Sequence, residues 1–318
     1  MVIPGLLFVM NSFGQADSLS KKDKAILDSM IKNDPLLNML REKKGSTVDL
    51  SIGIGNGSFS SHNLAANATG VTNQLIFTPA LFYHHKSGFG IGISPFITKD
   101  SSKNAVYQTG ITASYDYEGE EVNTGISYTR YLTDTKKYNS FSLYQNDIFA
   151  YIKKASGIIQ PGISIGYANG NYKDISLVTF TPQPPLPQIP RLVRDSTNNK
   201  ASYFSLSASA EHDFSFYTLF DKNDELDVVP SFFVNAGSDK NTTTHTNRLY
   251  DRIRALSNRK KVTENNKFQL QSVGFSLDLT YTIGKFYFQP NIYLDYYLPS
   301  TTATRVSSIF SIVAGISF

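Results

Sequence analysis

The sequence predicts an all-β fold, a transmembrane β-barrel of about 12 antiparallel strands with a short helical segment ahead of it. Three observations carry this. From Ser46 to Phe318 the apolar residues recur with period two, opposite small or polar ones. The connections between the alternating segments switch regularly between short and long. No run near 18 consecutive apolar residues follows the N-terminus, so no transmembrane helix is on offer, while the alternating segments match the roughly 9–11 residues of a tilted membrane strand.

The 318 residues are 41% hydrophobic and 13% aromatic, with 22 Phe, 19 Tyr and no Trp. Mean hydropathy is −0.22, which suits a barrel whose outside is apolar and whose lumen is wet. With 0 Cys, disulfide frameworks, thiolate catalysis and lipoprotein-type lipidation are excluded. Val2 to Met10 is a short apolar run and Gly14-Gln15-Ala16 supplies small residues for cleavage, so residues 1–16 are expected to be a signal peptide.

Residues 17–45 follow a different period. Ala25, Ile26, Met30 and Ile31, then Leu36, Leu37 and Leu40, take helical spacing with lysines opposite. Asp34-Pro35 starts a second short helix and Gly45 ends it. This segment is expected to plug the lumen or to lie beneath it.

The strands follow in order over 46–318. The first is Val48 to Gly55, with Val48, Leu50, Ile52 and Ile54 outward. Next come Leu75 to Tyr83, Phe89 to Ile97, Tyr107 to Tyr117 and Val122 to Tyr131. Phe141 to Lys153 slips at Asn146 and Asp147, where a bulge is expected. Ile158 to Ala168, Tyr203 to Asp213, Leu226 to Gly237, Leu270 to Ile283, Phe286 to Tyr297 and Val306 to Phe318 complete the set. Short gaps such as His84 to Gly88, Glu118 to Glu121 and Gly284-Lys285 fall on one side. Long ones (Ser58 to Asn73, Asn169 to Lys200, Ser238 to Lys267) fall on the other, which is barrel asymmetry rather than that of a soluble sandwich.

The last strand, with Phe318, Ile316, Ala314, Ile312 and Phe310 on one face and Phe at its end, resembles those of Gram-negative outer-membrane β-barrels. The resemblance covers Ser46 to Phe318. It implies an outer-membrane location with both termini periplasmic, contact with lipid and lipopolysaccharide, and Phe318 and Ile316 as the signal read by the barrel-assembly machinery. No subfamily signature comes with it.

Chemistry-bearing residues are sparse. His84 and His85 are adjacent, so their side chains diverge and make a poor metal pair. His212 and Ser215 lie too close along the chain to form a simple phospholipase pair, and Asp239, His245 and Asp251 have no protease motif around them. No enzyme activity, cofactor or metal is expected. Asp49, Asp116, Asp278, Asp295 and Glu211, with Asp147, fall on the lumen register; they favour cations in a pore, or brace the barrel through hydrogen bonds.

The stretch Ser238 to Lys267 holds eight Lys or Arg and three Asp or Glu, a net of +5 (8 − 3) against +4 for the whole chain. Arg248, Arg252 and Arg259 share one side of a helical reading and are candidates for binding lipopolysaccharide phosphates or anionic glycans. No stacking platform accompanies them, so nucleic acid is not expected. The sequence thus points to a narrow or plugged pore for small solutes. The alternative is a non-conducting barrel whose N-terminal helices or outer loops bind a periplasmic or surface partner.

Overall fold

The computed structural model describes residues 45–56, 75–100, 103–133, 144–180, 191–245, 261–299 and 305–318. The expected signal peptide, the helices of 17–44 and Arg248, Arg252 and Arg259 lie outside the described residues.

Thirteen strands form one antiparallel sheet. They are β1 Thr47–Gly55, β2 Ile76–His84, β3 Phe89–Asp100, β4 Lys103–Glu118, β5 Val122–Thr133, β6 Asn146–Lys154 and β7 Gln160–Phe180. β8 Arg191–Glu211, β9 Phe214–Tyr217, β10 Asp224–His245, β11 Lys261–Ile283, β12 Phe286–Tyr297 and β13 Val306–Ser317 follow. Twelve close a ring. β9 stands outside the count because it continues the edge of β8: β10 pairs with Glu211 through Thr197 of β8, then with Phe214 to Tyr217 of β9.

The ring closes where β13 meets β1, in register from Asp49↔Ser317 to Gly55↔Ser311. Both ends of this seam are fastened. Val48 and Phe318 exchange both backbone hydrogen bonds, at 3.1 and 3.0 Å. At the far end Asn56 N donates to Phe310 O (3.3 Å) and its side chain adds two more bonds: Oδ1 accepts from Phe310 N (2.9 Å) and Nδ2 donates to Ser308 O (3.0 Å).

Alternation separates two environments. Leu50 and Ile52 are 54% and 57% exposed, and outward apolar residues on every long strand behave similarly, whereas Ser276 and Tyr293 on the inner face are at 0%. A continuous apolar wall of this extent has lipid as its natural solvent. The chain is a transmembrane β-barrel. Aromatics band both ends of the wall: Tyr83, Phe89, Tyr115, Tyr117, Phe286 and Phe318 near the short turns, and Tyr128, Tyr167, Tyr296 and Phe310 near the other rim, where amphipathic rings sit at a membrane boundary. Just beyond Tyr128, Arg130 donates to Asn146 Oδ1 at 2.6 Å, a polar contact between Tyr128 and Leu132 on the outward face of β5.

Turn chemistry explains the short end. Gly88 has φ +92°, and a Cβ there would meet the Asp116 carbonyl oxygen at 2.0 Å, so only glycine lets the β2–β3 turn lie against β4. Gly284 (φ +59°) sits in the two-residue turn from β11 to β12, as a tight hairpin requires.

Three expectations are corrected. The bulge expected at Asn146 and Asp147 is absent, since β6 runs in unbroken register against β5 and β7. The bulges lie instead in β4, between Phe96 and Ile97 of its partner, and in β11 opposite Asn235/Ala236 and Gly237/Asp239. Much of the two longest expected loops is strand: β7 pairs with β8 out to Phe180↔Arg191, and β10 with β11 out to Thr244↔Lys261. The β10 and β11 stretches are polar and rich in Thr and Asn, those of β7 and β8 mix Ile175, Leu177, Val178 and Phe180 with charged and polar residues, and in each hairpin the two stretches pair with each other. The stretch between β3 and β4 likewise shrinks to residues 101–102.

Candidate functional site in the barrel lumen

The inner wall is built in two ways. Toward the short turns, large rings lie over glycines on the neighbouring strand. Phe82 covers Gly92, Tyr151 covers Gly125 and Tyr287 covers Gly315, each within 2.5 Å of where a Cβ would stand. All three are cross-strand partners. Glycine supplies the depression and the ring fills it, which explains the Gly-rich inner register in terms of packing.

The predicted acids all stand on the inner register, each with a local partner. Asp49 lies 3.3 Å from His84 Nε2, and Asp116 accepts from Tyr151 OH at 3.0 Å. Glu211 is bonded by Lys153. Asp278 accepts from Asn291 and, at 3.0 Å, from Ser276, and Asp295 accepts from Tyr293 OH at 3.0 Å. Asp147 is buried. The structure therefore spreads these carboxylates around the ring. Phe318 and Ile316 sit outward at the seam, Phe318 with Lys285 Nζ 5.3 Å from its ring centroid, a cation–π distance.

Farther from the turns the inner wall is dry. Buried residues follow one another through the register: Tyr293 to Ile309, Gly55 to Ile76, Ile76 to Thr98, Phe96 to Gln108, Thr129 to Asp147, Asp147 to Ala168 and Ala168 to Tyr203. They make a belt around the whole ring. Part of it is a polar network across β8, β10, β11 and β12. Ser207 donates to Asn235 Oδ1 (2.6 Å), Asn235 Nδ2 to Ser272 Oγ (3.1 Å) and Tyr293 OH (3.2 Å), and Tyr203 OH to Gln271 Oε1 (2.7 Å). Across the ring the belt turns aromatic: Phe96 lies between Tyr107 and Tyr131, ring centroids 6.2 Å apart in each case.

Sequence reasoning missed this belt because the bulges were missed. The one in β4 and the first of the two in β11 each turn two consecutive residues inward: Tyr107 with Gln108, and Gln271 with Ser272, all buried. The signal was present as a change of parity. The outward apolar residues of β4 are odd from Ile111 onward, yet Val106 is exposed; in β11, Phe268 and Leu270 are exposed, then Val273.

His212 and Ser215 have separate partners. His212 packs edge-on to Phe214 at 4.2 Å, and Ser215 donates to Asp227 at 2.6 Å. Among the described residues no group of three His, Asp or Glu converges as a metal site would require.

No family profile and no curated protein matches the chain. Solved structures resemble it weakly. A NanC porin shares 13% identity over 85% of this chain and 98% of its own, with TM-score 0.33. The CymD monoaromatic hydrocarbon channel shares 9% over 91% of each chain, at 0.34. The Pseudomonas putida toluene transporter TodX shares 8% over 91% of this chain and 92% of its own, also at 0.34. Likenesses at this level add nothing to the architecture already described.

Proposed function

We propose that this barrel lies in the outer membrane of a Gram-negative bacterium, with Ser46 and Phe318 on the periplasmic side, and forms a narrow pore for small solutes. The observation that carries it is the contrast between walls: a closed ring apolar outside, whose inner wall keeps hydroxyls, amides and carboxylates where a mere structural plug would be apolar. The short turns near Ser46 and Phe318 support the orientation, since outer-membrane barrels keep short turns periplasmic. The predominance of carboxylates on the described inner wall favours cations. The +5 charge of Ser238 to Lys267 (8 − 3) supports binding of lipopolysaccharide phosphates at Arg248, Arg252 and Arg259, which lie outside the described residues.

The dry belt supports a second reading, a non-conducting barrel that presents its loops or N-terminal segment to a partner. Planar-bilayer recording on the purified, folded chain separates the two. The pore reading expects small, cation-preferring steps, with the preference reduced in Asp49→Asn and Asp116→Asn, whose carboxylates lie near the short turns. A barrel that inserts and passes no current sinks it in favour of the second.

A further inference from the structure

Past the dry belt the sheet runs on as the paired ends of β7, β8, β10 and β11, and charge divides there by face. Residues opposite one another in a ladder share a face, so the outward face can be followed row by row. Ile165 with Leu206, and then Tyr167 with Phe204, end the apolar wall. Beyond them Lys240 stands opposite Ser202, Lys200 opposite Asn171 and Lys173 opposite Asn198, one row farther out each time. Lys261 joins the last row opposite Thr244. All four lysines are exposed, and every other residue of these three rows is neutral. The acids of β10 and β11 take the opposite face: Asp239 pairs with the buried Tyr203, and Glu264 with Asn241, itself opposite the buried Ala201. Among the described residues none of the four lysines forms an ion pair. A surface that only has to stay soluble intersperses both signs; this one sorts them.

We infer that this outward face, with Lys173, Lys200, Lys240 and Lys261, holds the phosphorylated head of lipopolysaccharide against the outer rim of the barrel. Lys240 and Lys200 are diagonal neighbours on adjacent strands, as are Lys200 and Lys173, about 7–8 Å apart at each step. Ammoniums on flexible four-carbon stems at that spacing reach one phosphate or two adjacent ones. Directly beneath them, on the same face, lie the aromatic row of Tyr167 and Phe204 and the apolar row of Ile165 and Leu206. The ligand that matches the whole series is an amphiphile, with acyl chains on the apolar rows and an anionic head among the lysines. A soluble anion would use only the lysines, and an uncharged lipid only the apolar rows. Four cations with no carboxylate on their face suit a polyanion. Lipopolysaccharide is the amphiphilic polyanion of the leaflet beside the long hairpins in the outer-membrane reading, on which this inference rests. It adds a strand-borne surface to the loop arginines named above.

Diphosphoryl lipid A is the probe, titrated by calorimetry into the folded full chain in neutral detergent micelles, with dephosphorylated lipid A and phosphatidylglycerol compared beside it. Wild type is expected to bind the diphosphoryl lipid most tightly. Lys173→Gln, Lys200→Gln and Lys240→Gln together should weaken that binding about a hundredfold, about fivefold for each lysine. Lys173→Arg, Lys200→Arg and Lys240→Arg together should keep it. These side chains are exposed, so both triple variants should retain the heat-modifiable fold. Equal affinity for dephosphorylated lipid A overturns phosphate recognition, and equal affinity for phosphatidylglycerol overturns lipopolysaccharide as the partner. A folded triple Gln variant that binds as wild type does overturns the face and leaves the phosphates to the loop arginines. Location is tested apart. The chain has 0 Cys, so Lys261→Cys supplies one thiol for an impermeant maleimide on intact cells, where labelling is expected. Labelling only after lysis overturns the orientation and, with it, the partner. Lipid A binding absent from a barrel that is labelled on intact cells overturns this inference alone.

Discussion

Asn235 shows how much one side chain on the inner wall does. It accepts from Ser207 and donates to Ser272 and Tyr293, joining four strands at a buried place in the wall. Asn235→Leu keeps the volume but strands hydroxyls in a dry wall; we expect a loss of about 1–3 kcal/mol, read as a lower urea midpoint of the folded barrel in lipid. Gly125 makes the complementary case. A Cβ there would stand 2.3 Å from Asp116 Oδ1 and 2.5 Å from the Tyr151 ring, the two ends of one hydrogen bond. Gly125→Val should cost about 1–3 kcal/mol through overpacking, whereas Gly284→Asn, in a turn with open space, should cost far less. On the outer wall, Ile52→Arg near mid-strand should cost about 2–4 kcal/mol against lipid. The same unfolding assay reports all of these, and an Ile52→Arg barrel as stable as wild type would contradict the membrane register of β1.

At the scale of elements, the seam of β1 and β13 and the long hairpins behave differently. The seam depends on few rungs, and its turn-side end is the exchange between Val48 and Phe318. Removing Phe318 takes away both of those bonds and an outward aromatic at the membrane boundary. We expect a smaller heat-modifiable folded fraction in outer membranes; unchanged abundance and folding would separate Phe318 from assembly. The β7–β8 hairpin reaches well past the belt, with ladder pairs from Asp174↔Thr197 to Phe180↔Arg191. Because the transmembrane rungs of β7 and β8 lie elsewhere, joining 173 to 198 through a short turn should leave a barrel that still folds and resists heat in detergent. Loss of folding in that deletion would show that the outer extension helps form the ring.

For the whole molecule, one solvent pattern decides the fold and another decides the site. The membrane-crossing strands, their outward faces and the short turns are legible in the sequence, because lipid on one side imposes a period of two and turns need Gly88, Gly157 and Gly284 at positive φ. The transmembrane part of the fold was legible for that reason. The reach of β7, β8, β10 and β11 was not, since outside the membrane strand pairing satisfies the backbone without any apolar stripe to mark it. The acids' register could be counted along each strand, but their partners, such as Tyr151 for Asp116 and Lys153 for Glu211, come from neighbouring or more distant strands. The belt was hidden more deeply. Tyr107 with Gln108, and Gln271 with Ser272, point the same way only because a ladder admits one extra residue, and only the closed ring brings β4 and β11 to opposite walls of one lumen. A linear pattern records which face a residue takes; what stands across the barrel from it is set by closure, which joins residues far apart in the chain.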